Sequence, residues 1–147
     1  MPGVKSLETQ QYYAHPRNAF WPILSRLFDV NWAQDYEQRI CQFKQLPLAL
    51  WDVLQSCHRS GSLDSSIDKR GIEINDICGL LERYPGISLV AFNGTAAEQL
   101  FRRHVLKCLP ENGTPDLLRL PSTSPAHASL NLVQKTEAWS VLVSYVK

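Results

Sequence analysis

The chain has 147 residues, a length that suits one domain around one core. At 44% hydrophobic and 20% charged it reads as globular rather than disordered, and no apolar run is long enough to span a membrane as a helix. A net charge of +1 and a pI of about 7.7 lack the global basic signature of many DNA binders, so any nucleic-acid contact has to come from a local patch.

Residues 1–11, with Pro2 and Gly3, read as a polar loop. The stretch from Gln11 to Pro22 then packs Tyr12, Tyr13, His15, Arg17 and Asn18 into a short Pro-bounded segment. Phe20, Ile23, Leu24, Leu27 and Phe28 follow at helical spacing, so a helix with one buried face is expected over 20–28. Asn18 can cap it, and Pro22 falls in its first turn, where a missing N–H does little harm. The polar cluster would then lie at a helix N-terminus, which favours phosphate; an ordinary aromatic loop packed on its own helix is the competing reading. His15 reads as structural.

Asn31 can cap a second helix, from about Trp32 to Gln45, stopped by Pro47. The apolar run Ala49–Leu54 suits a buried strand, with Asp52 either bonding a neighbouring loop or facing a ligand. Gly61–Gly71 reads as a long loop. Asn75 can cap a helix ending near Tyr84, and Ile87–Phe92 is the clearest strand. Asn93-Gly94 turns the chain, and Thr95 with Glu98 has the form of a capping box opening a helix to about Leu106. After a surface loop over Pro110–Pro115 come a brief strand over Leu117–Leu120, a stiff hydroxyl-rich turn over Pro121–Pro125, and a last helix over Leu130–Val146. Alternating strands and helices predict an α/β fold of three layers, with a short central parallel sheet, in a single domain spanning residues 1–147. Ligands of such sheets bind beyond the strands' carboxyl ends, where Asn93 and the Pro121–His127 turn fall.

Cys41, Cys57, Cys78 and Cys108 form no C-x-x-C pair and lack zinc or iron–sulfur spacing, so no metal site is expected. Free, mostly buried thiols are expected, and the adjacency of Cys57 and His58 gives little reason to pair them catalytically. Basic candidates for a local patch are Arg17, Lys69-Arg70, and Arg102-Arg103-His104 with Lys107; a solvated helix face explains the last group equally well.

Four motifs stand in order: Met1-Pro2-Gly3-Val4-Lys5-Ser6-Leu7, Tyr12-Tyr13-Ala14-His15-Pro16-Arg17-Asn18-Ala19-Phe20-Trp21, Ala91-Phe92-Asn93-Gly94, and Leu120-Pro121-Ser122-Thr123-Ser124-Pro125-Ala126-His127. Together they resemble the uracil-DNA glycosylase superfamily, and within it the hypoxanthine-DNA glycosylase (deoxyinosine glycosylase) branch, family 6. The resemblance covers nearly the whole chain. It departs at the start, where the family has an apolar strand ending in a Gly-containing turn just before Met1-Pro2-Gly3. In the family's sheet order that strand lies between those that here are Ala49–Leu54 and Ile87–Phe92, so a gap and a marginally stable sheet are expected.

The resemblance implies a uracil-DNA glycosylase-like fold and a monofunctional glycosylase that removes a deaminated base, most simply hypoxanthine. Uracil or a G/U mismatch is the alternative substrate, and a non-catalytic DNA- or nucleotide-binding domain is the alternative of another class. A flipped base needs an aromatic surface and edge contacts. Tyr12 or Tyr13 can provide the surface, with Phe20 a lesser candidate; core packing is the alternative for each. Asn93 can bond the base edge or merely make the turn. By resemblance Asn18 positions the attacking water and His127 donates to the leaving base. The alternatives are a helix cap for Asn18 and a solvent-exposed histidine for His127. Arg17, Ser122, Thr123 and Ser124 are the expected DNA contacts. No cofactor is expected; the expected partner is DNA carrying a deaminated base, with no membrane, for a monomeric cytoplasmic enzyme.

Overall fold

The computed structural model describes residue 13 and residues 17–59, 67–110 and 114–146, with residues 54–59 and 67–73 lacking described side chains. Tyr12, His15 and the Met1–Leu7 motif lie outside these residues, as do the side chains of Cys57, His58, Lys69 and Arg70.

Helix α1 spans Phe20–Phe28 and buries Phe20, Trp21, Ile23 and Leu24. It ends at Asp29, whose left-handed backbone (φ 54°) lets its N–H reach the Ser25 carbonyl. Helix α2 spans only Tyr36–Phe43, capped by the Asp35 carboxylate on the Gln38 N–H. The expected earlier start fails because side chains hold residues 31–33 as a loop. Gln42 accepts from the Ala33 N–H and donates to the Asn31 carbonyl, and the Trp32 indole donates to the Trp21 carbonyl.

The next stretch corrects two expectations. Ala49–Leu54 is not a buried strand: Trp51 is 41% exposed, and Asn75 takes the Val53 and Asp52 carbonyls through its backbone and side-chain N–H groups, at 2.9 and 2.7 Å. Those carbonyls are what a sheet ladder would have used. The strand β1 begins at Leu54 and runs to Arg59, pairing antiparallel with β2, Ile67–Ile74, whose first half falls in the Gly61–Gly71 stretch that read as a loop. An antiparallel pair tolerates a polar face, so its charged residues hid the pattern. Asp76, not Asn75, caps helix α3, Ile77–Arg83.

Strand β3, Leu89–Asn93, leads through helix α4, Thr95–His104, and a 3-10 turn at Leu106–Cys108 to strand β4, Asp116–Leu120. The two strands pair in parallel, from Leu89 opposite Asp116 to Asn93 opposite Leu120. Helix α4 starts where the Thr95–Glu98 pattern put it, but no side chain caps it; Glu98 instead reaches Arg102 and Arg119, at 3.4 and 3.7 Å. The single last helix is two, α5 (Leu132–Trp139) and α6 (Val141–Tyr145), broken at Ser140, whose hydroxyl donates to the Glu137 carbonyl. Cys78 and Cys108 are disulfide-bonded, Cα atoms 6.4 Å apart, which corrects the expectation of free thiols there; Cys41 is free but exposed.

The pleat of β3 and β4 divides the core in two. Leu89, Leu118 and Leu120 face a cluster built from α1, α2, α5 and α6, around Ile23, Leu24, Phe43, Trp139 and Leu142. Val90, Phe92 and Leu117 face the opposite cluster, around Ile77, Phe101 and Val105. This is the expected three-layer α/β/α arrangement. Among the described residues the far edge of β3 pairs with no strand. A cavity of about 690 Å³ lies there, lined by Leu48, Leu50, Trp51, Leu80, Leu89 and Ala91 among others.

The Ile23 side chain, 0% exposed at the centre of the first cluster, generates the fold's simplest prediction. Ile23→Ala should cost about 2–5 kcal/mol and lower the melting midpoint by roughly ten degrees, measured by thermal denaturation followed by circular dichroism.

Candidate active site

The carboxyl ends of β3 and β4 lie side by side, and the turns that follow them are joined through one side chain. Asn93 ends β3. Its Oδ1 accepts the Thr123 backbone N–H at 2.9 Å, and its Nδ2 donates to Thr123 Oγ1 at 3.0 Å and to the Tyr13 hydroxyl at 3.2 Å. The amide thus ties together segments 30 and 80 residues away along the chain. Gly94 makes this closeness possible. It sits at φ +96°, and a Cβ there would come within 3.1 Å of Ser122 Cβ. Its N–H also donates to the Leu120 carbonyl, extending the β3–β4 contact by one bond.

Tyr13 itself has a left-handed backbone, φ 55°, which is costly for a bulky residue and persists only where surrounding contacts fix it. Those contacts include the Asn93 bond and the Phe20 ring, stacked at 4.1 Å between centroids. Phe20 is buried and meets Trp21 and Trp139 edge to face, so it is a core residue that backs Tyr13. Tyr13, Phe20 and Asn93 all line the 690 Å³ cavity.

Asn18 stands directly before α1. Its Oδ1 accepts the Phe20 N–H at 3.0 Å, a bond that fixes the amide and leaves the oxygen one lone pair; among the described residues Nδ2 has no partner. The Ala19 N–H donates to the Thr123 carbonyl at 2.9 Å, binding this segment to the same turn. With the Ala19 and Phe20 N–H groups engaged and none on Pro22, the start of α1 is not the open phosphate cradle that its place suggested.

In the Pro121–His127 turn, Ser122 Oγ accepts the Ser124 N–H and Ser124 Oγ accepts the Ala126 N–H, both at 3.2 Å. Each hydroxyl keeps its own proton for another acceptor. Thr123 is different: it is 1% exposed, with its hydroxyl bonded to Asn93, so it ties the turn down instead of meeting DNA as expected. Asn93 likewise spends both amide protons inside the protein, so as a base-edge reader it has only a lone pair to offer. His127 is part-exposed, with Nε2 3.4 Å from Ser129 Oγ, and Arg17 lies exposed beside Asn18.

Two residues that hold this turn carry no motif. The Trp139 indole donates to the Pro121 carbonyl at 2.9 Å, and Lys135 Nζ donates to the Ser124 carbonyl at 3.2 Å. Lys135 is 4% exposed, and burial pushes its ammonium below the usual lysine value. The signal for it was positional: Lys135 sits three residues after Leu132 and four before Trp139, on the stripe that faces inward. No group of three or more His, Cys, Asp or Glu side chains that could hold a metal occurs among the described residues.

No family model matches the chain. A hypoxanthine DNA glycosylase of Methanosarcina acetivorans is 39% identical over 99 residues, 66% of this chain and 61% of the relative. One from Methanosarcina barkeri is 35% identical over 95 residues, 64% of this chain and 59% of the relative. The matched region therefore spans about three-fifths of these relatives' length. A solution structure from Methanosarcina acetivorans, described as a candidate uracil DNA glycosylase, superposes with a TM-score of 0.73 at 31% identity, over 99% of this chain and 85% of that one. The motifs, the three-layer fold and this likeness agree, and the chain belongs to the uracil-DNA glycosylase superfamily.

Proposed function

We propose that this chain is a monofunctional DNA glycosylase that hydrolyses the N-glycosidic bond of a deaminated nucleotide, hypoxanthine first, and leaves an abasic site in base excision repair. The observation that carries the reading is the Asn93 amide, which draws Tyr13 and the Pro121–His127 turn together at the sheet's carboxyl edge beside an apolar cavity. The names of the sequence relatives support hypoxanthine as substrate; that of the structural neighbour favours uracil as the second reading. The chain works as one domain and as a monomer in the cytoplasm, and no described helix is long and apolar enough to cross a membrane.

In this reading the damaged base leaves the duplex and enters the cavity, because its glycosidic bond is out of reach inside the stack. The Tyr13 ring, backed by Phe20, gives it a flat surface. Asn18, its carbonyl already oriented by the Phe20 N–H, uses the remaining lone pair to hold a water beneath the sugar carbon. As the C–N bond breaks, its electron pair goes to the base and positive charge builds on the sugar. The water oxygen then bonds to that carbon and gives up a proton, while the base takes one. His127 donates a hydrogen bond to the departing base, spreading its negative charge; pre-organised donors of this kind are usually the largest catalytic contribution. Asn18 is no base, so positioning and leaving-group stabilisation do most of the catalysis. Arg17 and the Ser122 and Ser124 hydroxyls contact phosphate.

Two predictions follow from these assignments. Asn18→Ala should lose most base excision in single-turnover assays on a hypoxanthine-containing duplex while binding that duplex within a few-fold of the parent. Asn18→Asp, which keeps the acceptor for the Phe20 N–H, should restore thermal stability, of which the lost bond is about 1 kcal/mol. Equal turnover of the alanine variant and the parent would remove Asn18 from the chemistry. Separately, Ser122→Ala should weaken duplex binding beyond the small loss of stability from its bond to the Ser124 N–H, and His127→Ala should slow cleavage at unchanged melting temperature. Unchanged affinity and rate in both would assign this turn a purely structural role.

A further inference from the structure

The mechanism above leaves Lys135, the most buried cation among the described residues, unused. An ammonium taken out of water is costly unless its protons find acceptors. The acceptor Lys135 finds is the Ser124 carbonyl, and no described ion pair includes it. That same carbonyl oxygen accepts the His127 backbone N–H at 3.0 Å, so two donors converge on one atom in the turn. Helix α5 therefore grips the turn twice. Lys135 holds Ser124 and, one helical turn on, Trp139 holds Pro121. The helix is itself fixed by a capping box between Asn131 and Gln134, so its register against the turn is set at the start. An aliphatic side chain would suit the inward stripe at position 135 at lower cost; what the lysine adds is a charged donor aimed at the backbone between Ser124 and His127.

We propose that Lys135 is a positioning residue that sets the Ser124–His127 segment for contact with the damaged duplex. This rests on the reading of that turn as the DNA-contacting element. Lys135 touches neither base nor sugar; it acts through the Ser124 carbonyl, which fixes where the His127 imidazole and the Ser124 hydroxyl point.

The test uses the full chain and three variants. Lys135→Met keeps the length and apolar body without the ammonium, Lys135→Gln is its fallback if the methionine form fails to fold, and Lys135→Arg keeps a charged donor. In the free protein, exchange of the His127 amide followed by NMR should speed up about tenfold in the methionine form, as loss of a charged hydrogen bond to its acceptor implies. Affinity for a hypoxanthine-containing duplex should fall about tenfold as well, while the melting temperature stays the same or rises. Lys135→Arg should recover most of the affinity. An unchanged His127 exchange rate with unchanged affinity overturns the proposal. So does a loss of affinity that tracks a fall in melting temperature and is not rescued by arginine. If the parent itself neither binds nor cleaves the duplex, the glycosylase reading fails, and the exchange rate still decides whether Lys135 sets the turn.

Discussion

The structure of the site depends on a single primary amide. Asn93 closes β3 with one acceptor and two donors, and all three bonds run to other parts of the chain. The two described parallel strands give a narrow platform, and the segments proposed to carry the chemistry leave it in different directions. Without this tie, the Tyr13 hydroxyl and the turn after β4 would each lose a bond to the end of β3. Buried networks of this kind polarise and rigidify when every member is satisfied, and here each polar atom of the Asn93 and Thr123 side chains has a partner. The neighbouring Gly94 is the steric counterpart: at φ +96° any side chain would be strained, and its Cβ would press on Ser122.

This division of labour separates residues that hold from the residues proposed to act. Thr123, Asn93, Phe20 and Trp139 are committed to the interior. Asn18, His127 and the two serine hydroxyls are left with capacity for a further partner. The committed set carries the strain of the left-handed Tyr13 backbone, and the second set inherits its geometry without spending its own hydrogen bonds. The catalysis proposed above, by positioning, requires that arrangement, since a neutral amide such as Asn18 would contribute only as much as its placement allows.

Part of this is legible in the sequence and part is not, for physical reasons. Helix Phe20–Phe28 follows from a clean 3.6-residue stripe, and the Leu89–Asn93 strand from a continuous apolar run ended by Asn-Gly. The three-layer fold follows from alternation of such runs. The β1–β2 pair escaped because charges interrupt its pattern, and the stretch before it because Asn75, 22 and more residues on, takes the carbonyls that a strand would need. The α3 cap slipped by one residue because the adjacent Asn75 and Asp76 compete for it, and the α2 cap by four, from Asn31 to Asp35, because side chains hold residues 31–33 as a loop. Among site residues, motif order identified the segments that converge, but residue type alone could not tell a buried Thr123 from its exposed serine neighbours. Lys135 lies outside every motif, and only its place on an inward stripe marked it.

The most direct test of the Asn93 tie is single-turnover excision of hypoxanthine from a duplex by Asn93→Ala, alongside circular dichroism of the same protein. The side chain is proposed to organise the site without touching the reacting atoms, so the variant should keep its folded spectrum yet excise on the order of a hundred times more slowly, the scale of a misplaced catalytic group. Excision at the parent's rate by a folded Asn93→Ala protein would contradict the account.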